Sequence, residues 1–420
     1  MPAGKIKVMI CAGEESGDLH GAALIRAAAE RKAPVFFFGL GGDRMRKEGC
    51  ELLAHSRETA VMGLKEVLGS LRRILALGKR LSETLLAYRP DALVLIDSPD
   101  FNFRLARIAT AAGIPVVYYI CPQVWAWRQG RIRFLAKNSK RRCLILPFEP
   151  EFYRERGVSA DFVGHPLLDE LRPLSKAEAR AALAGPAAGL SPAASGYASP
   201  AAEAAEPASA APLAPRPVPE DGRLLAVLPG SRAGVFARLA PPLLEAAGLL
   251  AASRPDLRVA VALAPTLPAS LARRHLARVP GGLLPRLHVF TGRSQEILNA
   301  ADAALLASGT SSAEASVLGA PAVVCYRTGF ASFLLARLLV KTRFISIPNL
   351  ILGRRLLPEL IQGAATPEGI VREAAALLDG GEARERALAG LAEVSRAFGG
   401  PGASRRVLDI VLEEAGGKAL

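Results

Sequence analysis

Short apolar runs bounded by turn residues alternate along the chain with longer stretches whose apolar residues recur every three or four positions. Before residue 175, KIKVMICAG, APVFFFGLGG, PDALVLID, IPVVYYIC and RCLILP read as strands covered on both faces, while 19–30, 64–88 and 103–112 carry helical spacing. The pattern resumes after residue 222 with RLLAVLPGS, LRVAVALAP, LHVFTG, ADAALLAS and PAVVCYR as strands and helical stretches between them. Regular β–α alternation requires parallel sheets joined by right-handed crossovers. The expected fold is therefore α/β, with two Rossmann-like parallel-sheet domains facing each other across a cleft.

One segment breaks the alternation. Of the 36 residues in 184–219, 29 are Ala, Pro, Ser or Gly, and eight prolines are spaced so that neither a long helix nor a strand can run through. With its flanks, 176–222, it reads as a flexible insert without chemistry. It separates a first domain, 1–175, from a second, 223–420, whose final helix is free to pack back on the first.

Composition narrows the class. Half of the 420 residues are apolar, 22% are charged and only 5% aromatic, which excludes a wholly disordered chain and a coiled-coil rod. The net charge of +14 suits an anionic partner, whether nucleic acid, nucleotide phosphate or an acidic membrane surface, although arginines solvated on helix faces account for it equally well. The five cysteines are scattered without a C-x-x-C pair, as expected of buried thiols in a reducing compartment. The first apolar run, five residues before Glu14, is too short for a signal core, and outside the Ala/Pro-rich segment no window of about 20 residues is free of charge. A cytoplasmic protein, or one on a membrane's cytoplasmic face, is expected.

In open parallel sheets ligands bind beyond the carboxyl ends of strands, so the polar residues after each apolar run carry the chemical information. The first strand is followed by GEESGDLHG, with Glu15 and Ser16 where a helix opens, and the second by GLGGDRM. Neither is a dinucleotide fingerprint, and a Walker-A pattern is absent. The third strand ends in LIDSPDFNF. Asp97 at its tip, partly desolvated, suits a general base, with Asp100 beyond Pro99; Asp97, Ser98 or Asp100 equally suits capping of the following helix. CPQVWAWRQGR gathers Trp125, Trp127, Arg128 and Arg131 after another strand, a combination fit for a sugar face and an anion or for a buried clamp. His20 and His165 have no partner at metal-ligand spacing, so no metal site is expected.

In the second domain Gly230, Ser231 and Arg232 follow a strand directly, small residues for close approach to a phosphate and a guanidinium to fork onto it. Further on, Ser308, Gly309, Thr310, Ser311 and Ser312 lie between a strand and a helix, an arrangement that binds anions. Glu314, in the first turn of that helix, can accept from ribose hydroxyls or serve as a cap. Without a phosphate-loop lysine, the two loops suit a nucleoside diphosphate donor of the UDP type.

These motifs coincide. GEESGDLHG, VMGLKEVLG, IDSPDFNFRLA, CPQVWAWRQGR, LPFEPEFY, VGHPLLD, LPGSR, LLASGTSSAEAS and KTRFISIPNLILGRRLLPELIQ resemble, in order and spacing, the lipid-A-disaccharide synthases, over nearly the whole chain outside the insert. The resemblance implies an inverting, metal-independent GT-B glycosyltransferase without a cofactor. It implies transfer of 2,3-diacylglucosamine from UDP to the 6-hydroxyl of 2,3-diacylglucosamine 1-phosphate, giving the β-1,6 disaccharide and UDP. By the same resemblance Asp97 is the base, Arg232 acts at the donor phosphates, and Asn349 with the SGTSSAE loop belongs to the nucleotide site. Val235 departs from the family, which usually has an acidic residue there. The mechanism implied brings Asp97 from one domain to Arg232 and the helix terminus at Ser311 and Ser312 from the other.

The acylated substrates imply an anionic membrane partner, and two segments fit one. Within 64–88, Leu64, Val67, Leu68, Leu71, Ile74 and Leu75 repeat beside Lys65, Arg72, Arg73, Lys79 and Arg80, which suits an interfacial helix as well as a core helix with a basic face; 330–344 has the same ambiguity. The expected setting is the cytoplasmic face of the inner membrane of a Gram-negative-type bacterium, with a homodimer left open. A UDP-sugar 2-epimerase or another transferase of UDP-GlcNAc type would share the donor loops. A nucleic-acid role would need interleaved aromatics in a basic patch, and the chain has none.

Overall fold

The computed structural model describes residues 4–59, 67–184, 217–219, 221–340 and 342–416. The chain divides into two units, Met1–Asp169 with Phe398–Leu420, and Glu170–Ala397. The first unit runs β1 (Ile6–Ala12), α1 (Glu15–Glu30), β2 (Val35–Gly41), α2 (Asp43–Lys47), β3 (Glu51–His55), α3 (Val67–Tyr88), β4 (Ala92–Ile96), α4 (Pro99–Ala111), β5 (Val116–Tyr119), α5 (Arg131–Asn138), β6 (Arg141–Leu144), α6 (Glu149–Arg154), β7 (Asp161–Phe162) and α7 (Leu167–Glu170), whose last residue starts the second unit. The second unit continues with α8 (Lys176–Ala184), β8 (Arg223–Leu228), α9 (Ala233–Ser253), β9 (Leu257–Leu263), α10 (Ala269–Leu276), β10 (Leu287–Thr291), α11 (Ser294–Ala300), β11 (Ala303–Ala307), α12 (Thr310–Val317), β12 (Ala322–Tyr326), α13 (Phe330–Leu339), α14 (Ile347–Leu352), β13 (Glu359–Ile361), α15 (Pro367–Leu378) and α16 (Glu382–Ala397). The final helix, α17 (Ala403–Glu414), returns to the first unit.

Each unit is built on one parallel sheet, ordered β3-β2-β1-β4-β5-β6-β7 in the first and β10-β9-β8-β11-β12-β13 in the second. The central strands bury both faces, which is why β4 reads as an unbroken apolar run with every residue inside. Both sheets reverse direction of growth once, between β1 and β4 and between β8 and β11. At such switch points the loops diverge and open a crevice for ligand.

The helices α1 and α4 begin four residues earlier than their apolar spacing suggests, because their first turns, ESGD and PDFN, are polar and carry no period. Strands β3, β7 and β13 escape the sequence pattern because they are short and open on Glu51, Asp161 and Glu359. The start of the predicted 64–88 helix, and motif residues 61–66, lie outside the described residues, as do 185–216 of the insert.

At its edges the insert is narrower than its composition suggests. Residues 176–184 form α8, whose buried Arg180 donates to Ala300 O at 2.9 Å, Gly222 O at 3.0 Å and Asp302 Oδ2 at 2.9 Å. Val218 is fully buried and its N–H bonds Leu183 O at 3.0 Å. A proline-free KAEARAALA stretch with an apolar face folds as any amphipathic helix does. In the first unit, α17 packs Val407, Leu408 and Val411 into the core shared with Ala22 and Ile25 of α1. The apolar helix α9, long enough to cross a membrane, is a core helix with Phe236, Leu239, Leu243 and Leu250 buried.

Candidate active site

In the first unit β1 and β4 lie side by side with Ala12 opposite Ile96, so the turns that follow them leave the sheet together. Asp97 and Ser98 both have left-handed backbone, φ 45° and 41°, which costs a non-glycine residue about 1–3 kcal/mol. The surroundings hold Asp97 there through its backbone: its carbonyl accepts from Asn102 Nδ2 and from the Tyr118 hydroxyl, each at 2.8 Å, and its N–H donates to Tyr119 O at 3.2 Å. Asn102 and Tyr118 are fully buried. Gly13 leaves room on the other side, since a Cβ there would stand 3.1 Å from Ser98 Oγ.

The carboxylate is left without a Lys or Arg partner among the described residues. Ser98, not Asp97, is the N-cap of α4, without a side-chain cap bond, and the nearby Arg128 and Arg131 pair with Asp100 instead. Burial pushes its pKa up, the charge of Glu14 pushes it further, and the Ser98 N–H and His20 pull it back. Both the partly desolvated pocket and a carboxylate not tied up by Lys or Arg are what proton abstraction needs.

Asp100 is differently placed. It is exposed and accepts from Arg131, with Arg128 at 3.7 Å, so it ties α4 to the tryptophan segment. The same two arginines lie over the Trp127 ring, at 4.4 Å for Arg128 and 5.7 Å for Arg131, and Trp127 remains 38% exposed. Trp125 faces inward instead: its indole N–H donates to buried Glu149 at 3.0 Å and its ring meets Phe148 edge-on. Of the two tryptophans, then, Trp127 offers a surface and Trp125 is core, which corrects the assignment of Trp125 to the acceptor side. Glu15 and Ser16 open α1 at the surface, Glu15 paired with Arg44 at 3.8 Å.

Sequence reasoning missed the supports of this half. Asn102 stands inside the LIDSPDFNF motif, and Asp18 inside GEESGDLHG, where it is buried and accepts N–H bonds from Gly42, Arg44 and Met45 that cap α2. Thr59 Oγ1 donates to Gly13 O and Ser56 O, fixing the first loop. His165 is a turn support, its Nδ1 accepting from Leu167 N, and burial followed by the neighbouring His20 lowers its pKa to about 3. All five cysteines are buried and unpaired with one another. Among the described residues no group of three His, Cys, Asp or Glu could hold a metal ion.

The second unit repeats the arrangement. Leu228 of β8 pairs with Leu306 of β11, so the turns after them emerge together. Gly230 has φ 106°, and a Cβ there would meet Val235 Cγ1 at 2.8 Å and Ala307 Cβ at 3.3 Å. Val235 thus fills the space between the two strand ends, a packing role in place of a charge. Ser231 is exposed, and exposed Arg232 is the N-cap residue of α9.

After β11, Ser308 Oγ donates to Ile345 O at 3.3 Å, and Gly309 precedes α12 without any side-chain cap. Thr310 is exposed, but Ser311 Oγ donates to Ala307 O at 3.0 Å and Ser312 Oγ to Gly309 O at 2.8 Å. The hydroxyl hydrogens of Ser311 and Ser312 are turned into their own helix, so an anion here meets the uncapped backbone and Thr310 rather than serine donors. Glu314 lies one turn in, beyond the expected first turn, and burial, with the Glu170 charge second, raises its pKa to about 7.

Asn349 is a support of this loop. Fully buried, it donates to Leu357 O at 2.9 Å and Glu359 Oε1 at 2.8 Å and accepts from Leu356 N and Leu357 N, which uses both donors and both lone pairs. Glu359 also takes the N–H and hydroxyl of Ser346. This hub, invisible to spacing because Asn349 and Glu359 are ten residues apart, anchors the loop whose Ile345 carbonyl holds Ser308.

A family model described as Lipid-A-disaccharide synthetase matches residues 8–186 and 204–398. The chain belongs to this family. The lipid-A-disaccharide synthase of Myxococcus xanthus is 40% identical over 408 residues, 97% of this chain and 97% of that protein. Among solved structures, the UDP-GlcNAc 2-epimerase from Neisseria meningitidis bound to UDP-GlcNAc superposes with a TM-score of 0.62 at 11% identity, over 97% of this chain and all of the other. The calicheamicin glycosyltransferase CalG4 superposes with a TM-score of 0.57 at 16% identity, over 99% and 100%. At such identities the likeness is one of fold, and the lipid-A-disaccharide synthetase family member described here has the GT-B fold.

Proposed function

We propose that the protein is a lipid A disaccharide synthase, transferring 2,3-diacylglucosamine from UDP to the 6-hydroxyl of 2,3-diacylglucosamine 1-phosphate and releasing UDP. Position supports the reading most: the loop after β4 that carries Asp97 and the loops after β8 and β11 that carry Arg232 and Thr310 each stand at the switch point of their sheet.

In this reading the first unit serves the acceptor. Asp97 takes the hydroxyl proton as the bond to the anomeric carbon forms, and Trp127, Arg128, Glu15 and Ser16 border the acceptor's path. The second unit serves the donor: Arg232, the backbone at Gly230 and Ser231, and the positive end of α12 stabilise the charge that builds on the departing diphosphate. Glu314 faces the ribose. The UDP-sugar is a substrate, and no cofactor is needed. The enzyme works peripherally on the cytoplasmic face of the inner membrane, where exposed Arg72 and Arg73 of α3 meet anionic lipid.

The test is to incubate purified protein with both acylated substrates and resolve the products by thin-layer chromatography. The synthase yields disaccharide 1-phosphate and UDP only when both are present. Conversion of the UDP-sugar alone would instead favour an epimerase. EDTA should leave the rate unchanged; activity lost on chelation and restored by a divalent ion would replace Arg232 with a cation as the main charge stabiliser.

A further inference from the structure

Helix α13, in FASFLLARLLV, is apolar yet hardly packed: among its described side chains, 332–339, none is buried. Leu334, Leu335, Leu338 and Leu339 are 51%, 57%, 76% and 48% exposed, and their i, i+1, i+4, i+5 spacing sets them on one side of the helix. Contiguous apolar surface of this kind marks an interaction site. Along the sequence its charges have one sign: 327–344 contains Arg327, Arg337, Lys341 and Arg343 and no acidic residue. At the foot of the helix lies a groove of about 390 Å³ lined by Arg238, Arg327, Thr328, Gln362 and Gly363. Arg327 is held there by bonds to Gln362 O at 3.3 Å and Ala365 O at 2.7 Å, and Arg238 by one to Gly234 O at 2.7 Å. Guanidinium donors beyond those bonds remain for an anion.

We propose that α13 and the basic groove at its foot form a membrane-docking element of the second unit, seated on an anionic lipid bilayer. Ten residues span about 15 Å, too short to cross a bilayer but suited to lying in its interface. A leucine face in a segment whose charges are all cationic, beside an arginine-lined groove, matches acyl chains under anionic headgroups. A second copy would set the same cations against each other, and a soluble acidic partner would leave the leucines uncovered. Helix α3 differs, because among its described side chains, 72–88, Leu77, Leu81 and Leu85 are buried in the core, although Leu75 and Leu86 are exposed. The inference deepens the proposed function, and rests on it for the presence of a bilayer beside the substrates.

Flotation with vesicles of phosphatidylcholine, alone or mixed with phosphatidylglycerol, tests it. The protein should float with the anionic vesicles and release in high salt. The variant L334S/L335S/L338S/L339S should partition about tenfold less or worse, and R238Q/R337Q/R343Q should weaken the preference for anionic vesicles. UDP affinity by calorimetry, unchanged in both, certifies the folded second unit. Flotation of the leucine variant equal to wild type overturns the proposal, whether binding is instead lost in R72Q/R73Q or the leucine variant changes only from dimer to monomer in light scattering. If the leucine variant loses flotation but wild type makes no disaccharide, docking stands and the proposed reaction fails.

Discussion

Asp97 is fixed through its main chain, with its carboxylate left without a described Lys or Arg partner. With Asp97 as the proposed base, working only when ionised, burial first and Glu14 second should move the acid limb of kcat/KM above that of an unperturbed carboxylate. Glu14→Gln removes a negative neighbour, makes ionisation easier and should move that limb to lower pH, with the plateau kept; a pH–rate profile checks it, and an unmoved limb would show that Glu14 does not bear on Asp97. Asp97 was legible because a strand tip at the sheet's carboxyl end is where ligands collect. What separated it from Asp100 was not legible, since the Arg131 and Arg128 partners come from a different segment. Asn349 sits in a motif that resembles the family's nucleotide site, yet its four hydrogen bonds are spent on residues 356–359, a saturation that only coordinates reveal.

At the scale of elements, α6 begins with Glu149, whose carboxylate gathers N–H bonds from Trp125, Ile145 and Leu146 and so pins the tryptophan segment to the end of β6. Glutamine there must turn its own N–H donors toward one of those N–H groups, costing about 2–3 kcal/mol in urea unfolding. The pH dependence has a definite sign. Burial raises Glu149 to about 7, so the folded state binds its proton more tightly than the unfolded chain does. Stability therefore falls as pH rises from about 5 to about 7, and Glu149→Gln should flatten that fall. A variant whose stability matches wild type at every pH would show the bonds to be dispensable. The long strands could be read from the sequence because parallel strands bury both faces and their apolar runs are unbroken. The short strands could not, since two to five residues opening on an acidic side chain carry too little pattern.

Across the whole molecule, the proposed chemistry divides between the two units and leaves out the Ala/Pro-rich segment. The family match itself skips 187–203. Removing 185–216, while keeping α8 and the buried Val218, should leave expression, UDP affinity and turnover within a few-fold of wild type, because that composition offers little to a core; loss of soluble protein would assign the segment a structural role. The return of α17 to the first unit was foreseen only as an option, since its amphipathic face names no partner, and pairs such as Arg405 with Glu30 span most of the chain. In the proposed reaction the first unit supplies the base and the second holds UDP, and Asp97→Asn measures both at once. With both acylated substrates its kcat should fall about 10²-fold or more while its UDP affinity by calorimetry equals that of wild type. A kcat within a few-fold of wild type would contradict the account.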